Sequence, residues 1–156
     1  MIKVNKKTEY ALMALKYMLE KSSGELTSAR ELCDRFHTPF DTTAKVLQTM
    51  NQQGLLSSVK GMSGGYTLAK PLTQISFFDL AFMIDPSVTE KFCQSSKGLC
   101  DLHSTCNVSD PLEHLNDKIH EYLKTLMLQD LLLGDSTSGL GQFISENKNH
   151  RSISSE

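Results

Sequence analysis

Two short helical stretches joined by a tight turn, a glycine-tipped hairpin directly after them, and a long apolar run in steps of three and four together predict the fold class. It is mainly α with a small β-wing: a winged helix-turn-helix followed by a long helix. The 156 residues suit one ordinary domain with an appended helical element. At 39% hydrophobic the chain can bury a core without disulfides.

The first helix is expected from about Asn5 to Ser22. Leu12, Leu15 and Leu19 recur at helical spacing beside Ala11 and Met18, and Gly24 ends the run. Ser28 and Glu31 form a capping-box pair that opens a second helix through Leu32 to Phe36. After His37, Thr38 reads as the N-cap of a third helix, with Pro39 at its first position and Gly54 as its left-handed stop. On that third helix Phe40, Ala44, Leu47 and Met50 share one side and are expected to face the core.

Leu55–Val59 and Tyr66–Ala69 are strand-like runs around Lys60-Gly-Met-Ser-Gly-Gly65. Ser76 with Asp79 starts another short helix, which Asp85-Pro86 stops. Residues 87–111 lack apolar periodicity but hold three of the four cysteines. A continuous helix is then expected from about Pro111 to Leu133, with Leu112, Leu115, Ile119, Tyr122 and Leu126 as a coiled-coil seam. Such a seam is expected to pack against a second copy in a homodimer. The organisation is therefore a winged helix-turn-helix over 1–75, a short helix and cysteine loop over 76–110, a dimerisation helix over 111–133 and a disordered tail over 134–156.

Several function classes drop out. No 18-residue apolar run or secretory segment occurs, so membrane spanning and export are not expected and a cytoplasmic location is. With no tryptophan, an aromatic carbohydrate platform is not expected either. An enzyme finds little support: there is no nucleophile–base pairing or phosphate-cradling motif, and His37, His103, His114, His120 and His150 show no repeated metal spacing. The net charge of −2 conceals an asymmetry, because residues 1–75 carry ten basic and six acidic side chains. That gives +4 there against −6 in the remainder, which suggests an anionic partner at the N-terminal part.

Double-stranded DNA fits that partner. The side of the third helix opposite its expected core face carries Asp41, Thr42, Lys45, Thr49 and Gln52. Lys45 can donate to guanine or phosphate, Thr42 can meet a thymine methyl, and Gln52 can bind adenine or backbone. Lys60 at the wing tip can reach a minor groove, with Ser63 and the Gly64 and Gly65 amides against the DNA backbone. Alone, each of these is an ordinary solvated side chain or hairpin glycine; the winged layout is what combines them.

Cys93, Cys100 and Cys106 share one loop with Asp101, His103 and Asp110. Three thiolates there can ligate an iron–sulfur cluster; with His103 they make a Cys₃His set for structural zinc; or two can pair as a thiol redox switch. Spacing does not separate these. Cys33, on the second helix, reads as a buried core thiol.

The stretch Thr27–Lys70 resembles the IscR/NsrR/RirA-type winged-helix transcription regulators. The resemblance is carried by Glu31-Leu32, the Pro39 turn, Gly54-Leu55-Leu56, Val59-Lys60-Gly61 and Gly64-Gly65-Tyr66-Thr67-Leu68-Ala69, with Thr8-Glu9-Tyr10-Ala11-Leu12 and the cysteine triplet beside it. It covers about residues 1–135. It implies a homodimeric DNA-binding repressor with a two- or four-iron cluster on Cys93, Cys100 and Cys106, sensing nitric oxide, redox or iron status. In the nitric-oxide-sensing branch an acidic residue of the partner completes the ligand set, and Glu9 holds that position. In the cluster-biogenesis branch a histidine three residues after the last cysteine does so, and Ser109 stands there instead. The six-residue gap after Cys93 is also one longer than in the best-known members.

Overall fold

The computed structural model describes residues 4–90, 94–95, 98–102 and 104–134. Cys93, His103 and the tail over 135–156 lie outside the described residues, so the expectations placed on them are not addressed by the fold. The element order is α1 (Lys6–Glu20), α2 (Ala29–Phe36), α3 (Phe40–Gln52), β1 (Leu56–Val59), β2 (Gly65–Leu68), α4 (Phe77–Ile84), β3 (Gln94–Ser95), β4 (Gly98–Leu99), α5 (Ser109–Thr125) and α6 (Leu128–Leu133). Short 3-10 turns flank α4 at Leu72–Gln74 and Pro86–Thr89.

Local chemistry accounts for the helix starts. Asn5 caps α1 by accepting from the Thr8 amide at 2.8 Å, and its own amide nitrogen donates to Asp85 Oδ2 at 2.9 Å, which ties α1 to the end of α4. The expected capping box of Ser28 with Glu31 forms, and Ser76 with Asp79, expected to start α4, forms a second one. Thr38 is a correction: Pro39 occupies the cap of α3 without a side-chain bond. The Thr38 hydroxyl turns inward instead, accepting from the Thr43 hydroxyl at 2.8 Å and donating to Cys33 Sγ at 3.6 Å.

One core joins α1, α2, α3, α4 and α6, with Leu15, Leu47, Met50, Leu55, Leu80 and Leu128 essentially sealed from solvent. Burial of each such leucine or methionine contributes about 1.5–3 kcal/mol before entropy is counted. Across the top of α2, the Tyr17 hydroxyl and Lys21 Nζ both meet Glu31 Oε1, at 2.7 and 2.6 Å. Burial raises the Glu31 carboxyl pKa, but the bonds from Lys21, Tyr17 and the Ser28 backbone outweigh it and hold the group below its ordinary range.

The buried face of α3 is rotated from the expected one. Thr43, Val46, Leu47 and Met50 are inside; Phe40 is 52% exposed and Ala44 half-buried. Phe40 is the first residue of the helix, where no neighbouring turn covers it. The long helix is corrected as well. It starts at Ser109 and breaks at Leu126–Met127, where both residues adopt extended dihedrals. The chain there pairs with the segment before α4: Phe77 N donates to Leu126 O at 2.8 Å and Leu128 N to Ile75 O at 2.9 Å. Those two bonds and the burial of Leu128 replace the helical bonds lost at the break.

Candidate functional site

The turn between α2 and α3 is closed by His37, which takes a left-handed conformation (φ 55°) and donates its amide to Cys33 O at 2.8 Å. With the Thr38–Thr43 bond this fixes how α3 leaves α2, and hence which side of α3 faces outward. That outer side holds Asp41, Lys45 and Gln52, with Asp41 exposed and the remaining side chains between half-buried and exposed, Thr42 and Thr49 included. The Thr49 hydroxyl donates to Lys45 O at 2.9 Å, so its proton is committed to the helix while its oxygen can still accept. Thr42, Lys45 and Thr49 are brought together with Asp41 on one shallow cleft of about 240 Å³. Lys7 of α1 lines the same cleft. Sequence reading missed Lys7, and the signal for it was its position two residues after the Asn5 cap, which puts a cation on the first turn of α1.

At the wing, β1 and β2 pair antiparallel from Leu56↔Leu68 to Val59↔Gly65. Lys60, Met62 and Ser63 are exposed at its tip. The two glycines expected to touch DNA have other work. The Gly64 amide donates to Gly61 O at 3.0 Å, and a Cβ there would lie 2.3 Å from Val59 O. A Cβ on Gly65 would lie 2.9 Å from Thr27 O, where Thr27 and Tyr66 exchange two backbone hydrogen bonds of 2.9 Å. Gly64 and Gly65 therefore shape and seat the wing, and the Gly64 amide is already used.

The cysteine loop is built differently. Cys100 is exposed and Cys106 half-buried, and both are free thiols. From Cys100 to Val108 no described residue is buried. The Ser109 hydroxyl lies 3.2 Å from Cys106 O and 3.3 Å from Asp110 Oδ1 and shares its one proton between them, which sets Cys106 beside the start of α5. Among the described residues no three His, Cys, Asp or Glu side chains converge as a metal site; Cys93 is outside them. The donors that are described suit soft-metal chemistry, being thiols outside any disulfide at a surface where metal can enter. Glu9, in the first turn of α1, is partly exposed and holds Lys6 Nζ in an ion pair. Cys33 is half-buried beside Thr38 and not in the sealed core, a further correction of an expected place.

Along α5, Leu115 is 48% exposed, while Leu112, Ile119 and Tyr122 are half-buried. Leu126 packs on the chain's own core, as the break after α5 requires.

A helix-turn-helix with an adjoining wing, its outer helix face polar and open, defines a transcription regulator of the winged-helix class. The profile of the Rrf2 family, described as an iron-dependent transcriptional regulator, matches residues 4–133, and the chain belongs to that family. A protein of Aquifex aeolicus (strain VF5) described as an HTH-type transcriptional regulator is 28% identical over 125 residues, covering 79% of this chain and 86% of its own. Among solved structures, CymR, the global cysteine regulator of B. subtilis, aligns with a TM-score of 0.65 at 18% identity, over 85% of this chain and 97% of that one. The oxidized form of Staphylococcus aureus CymR aligns with a TM-score of 0.65 at 20% identity, over 84% and 96%. T. potens IscR aligns with a TM-score of 0.62 at 22% identity, over 88% and 90%. At such identities these three likenesses are of fold. No described helix is long and apolar enough to cross a membrane.

Proposed function

We propose that the chain is a cytoplasmic, homodimeric DNA-binding repressor whose operator affinity is set by an iron–sulfur cluster on Cys93, Cys100 and Cys106, with the partner's Glu9 as fourth ligand. The observation that carries this reading is the cysteine loop itself: free thiols on an unburied segment that runs directly into α5. When bound, the cluster supplies an iron centre reactive towards nitric oxide, oxidants or iron loss. Cys106, set beside the start of α5 through Ser109, links the ligand set to the dimerisation helix. The partner's Glu9 sits on α1, the helix packed behind α3. Ligation across the dimer therefore constrains how far apart the two copies of α3 stand, and two half-sites in successive major grooves need about 34–36 Å. Glu9 would hold iron through a carboxylate, which exchanges more readily than thiolate.

Thr42, Lys45, Thr49 and Gln52 would face the major groove, with Lys60 and Ser63 at the minor groove or phosphates; Gly64 and Gly65 position them. Leu112, Leu115 and Tyr122 would form the dimer seam, with Ile119 at its margin; Leu126 packs on the chain's own core instead. Anaerobically purified protein should be brown, contain iron and sulfide, and bleach with nitric oxide or air. Loaded and metal-free protein should differ in operator affinity; equal affinities would remove the sensing role.

A thiol switch is the second reading, favoured by the exposure of Cys100. The fold shared with the oxidized form of Staphylococcus aureus CymR is compatible with it. A colourless protein whose DNA binding responds to peroxide and is restored by reductant would select it; one zinc per chain would select a structural metal.

A further inference from the structure

A second cavity, of about 250 Å³, opens between the start of α1, the α4 end with its 3-10 turn, and α5. Among the described residues no cysteine and no recognition-helix residue lines it. One part of its wall is apolar, including Phe77, Val88, Ile119 and Leu123; the other presents Asp85, Glu90, Asn116 and His120. Among the described residues no lysine or arginine lines it; Lys7 acts on Asp85 from outside the wall.

Asn116 is only 5% exposed, in the middle of α5. A buried amide needs partners for both of its ends. His120 Nε2 lies 3.1 Å from Val88 O, which only accepts, so Nε2 carries the proton. In the neutral imidazole Nδ1 then has the lone pair, and it accepts from Asn116 Nδ2 at 3.4 Å. No described residue donates to the Asn116 carbonyl oxygen, and since it is not sealed from solvent it is open to the cavity that Asn116 lines. Asp85 is held as a carboxylate first by the Ser87 side chain, then by the Ser87 amide on Oδ1 (3.0 Å) and Asn5 Nδ2 on Oδ2 (2.9 Å). Oδ2 keeps a further lone pair.

We propose that this cavity binds a compact organic cation, a primary ammonium or small guanidinium on a short aliphatic body. Its N–H groups would donate to the open Asn116 carbonyl and to Asp85 and Glu90, and its body would lie against Phe77, Ile119 and Leu123. Two carboxylates with no cation in the described wall disfavour an anion. At about 30 Å³ per water-sized group the space holds roughly eight such groups, which restricts the body to a few carbons. An inorganic cation would leave the apolar wall unused. The occupant touches α1 and α4 on one side and α5 on the other, so it fastens the winged-helix part to the dimerisation helix. The inference stands on the cavity and not on the cluster or the operator.

The test uses the full chain without DNA. Calorimetric titration and thermal melting are run at neutral pH with butylamine, and with butan-1-ol, butyrate, potassium chloride and calcium chloride as controls. Butylamine should give saturable heat and a saturable rise in Tm; the controls should give neither. Glu90→Gln and Asn116→Leu should each weaken butylamine binding by about tenfold. Glu90 is exposed, so its variant folds and decides the matter alone if Asn116→Leu does not. Equal responses to butan-1-ol or calcium, or unchanged affinity in Glu90→Gln, overturn the proposal.

Discussion

The described residues form two hairpins, and they are held by opposite means. The wing is fastened at its base by Leu55 and Leu56, both sealed in the core, along its side by the Thr27–Tyr66 backbone pair, and at its tip by the Gly61–Gly64 bond. The cysteine hairpin is two residues a side, and the described residues that follow it up to α5 contribute nothing to the core. A reading element has to be in place before its target arrives, and the wing needs no ligand to be so. If the cysteine loop senses as proposed, it has to change with its signal. The described part of the cysteine loop has no buried residue to oppose such a change, so bonds to a bound centre can dominate its arrangement.

The largest effect expected from this contrast is on metal content. Cys100→Ser or Cys106→Ser should bring iron and sulfide to background, measured per chain after anaerobic preparation. Because neither thiol supports the core, the metal-free variants should melt within about 0.5 kcal/mol of the metal-free parent. Hydrogen exchange sharpens the same point: cluster loading should protect the amides of 100–108 and leave those of 56–68 unchanged. Equal protection of the loop in both states would break the contrast.

Next in size are the wing glycines. Gly64→Ala places a Cβ where Val59 O already sits, a backbone clash that no rotamer relieves. About 2–3 kcal/mol of local destabilisation is expected. It should appear as lost operator affinity, read by titration with labelled duplex, with iron content unchanged. Gly65→Ala meets Thr27 O at 2.9 Å and should cost less, since that backbone can shift slightly.

A smaller effect tests the anchoring of α2. Glu31→Gln removes the charge that gathers Lys21 and Tyr17, worth about 1 kcal/mol at neutral pH. The folded carboxyl is held below its ordinary pKa, so its contribution is fully present above the unfolded carboxylate range and is lost as pH falls through the folded value. Melting of parent and variant should therefore differ at pH 7 and converge on acidification. A gap that persists at low pH would mean that the Glu31→Gln substitution damages packing instead.

Sequence was most informative where structure is local. The capping box at Ser28, the helix start at Ser76, the stop at Gly54 and the glycine-tipped hairpin depend on neighbours a few residues apart, and all appear as expected. What failed depended on distant chain or on the exact backbone conformation of a turn. Nothing in the spacing of Leu112 to Leu133 reveals that Leu126 and Leu128 bond to Phe77 and Ile75, and so the helix break was invisible. Phe40 reads as core by type, yet at the first turn of α3 no other element covers it. The Gly64 amide looked free because its acceptor, Gly61 O, is defined only by the turn conformation. For the candidate site, residue types were legible and their company was not: Lys7 joins Lys45 through the packing of α1 on α3.

Lys7 gives the finest test of the contrast, because it asks whether the reading surface extends past α3 and the wing. If Lys7 meets a phosphate beside the groove occupied by α3, Lys7→Ala should weaken binding evenly across operator variants. It should also reduce the slope of log affinity against log salt by about 0.9, the counterion release of one contact. Lys45→Ala or Lys60→Ala should show a comparable slope change if that residue contacts phosphate, with sequence-dependent loss as well if it reads a base. Lys118, ion-paired with Glu121 at 2.9 Å on α5, is the control and should leave the slope unchanged. A Lys7→Ala slope equal to the parent's would confine the phosphate contacts to α3 and the wing, and the cleft that α3 shares with α1 would be packing alone.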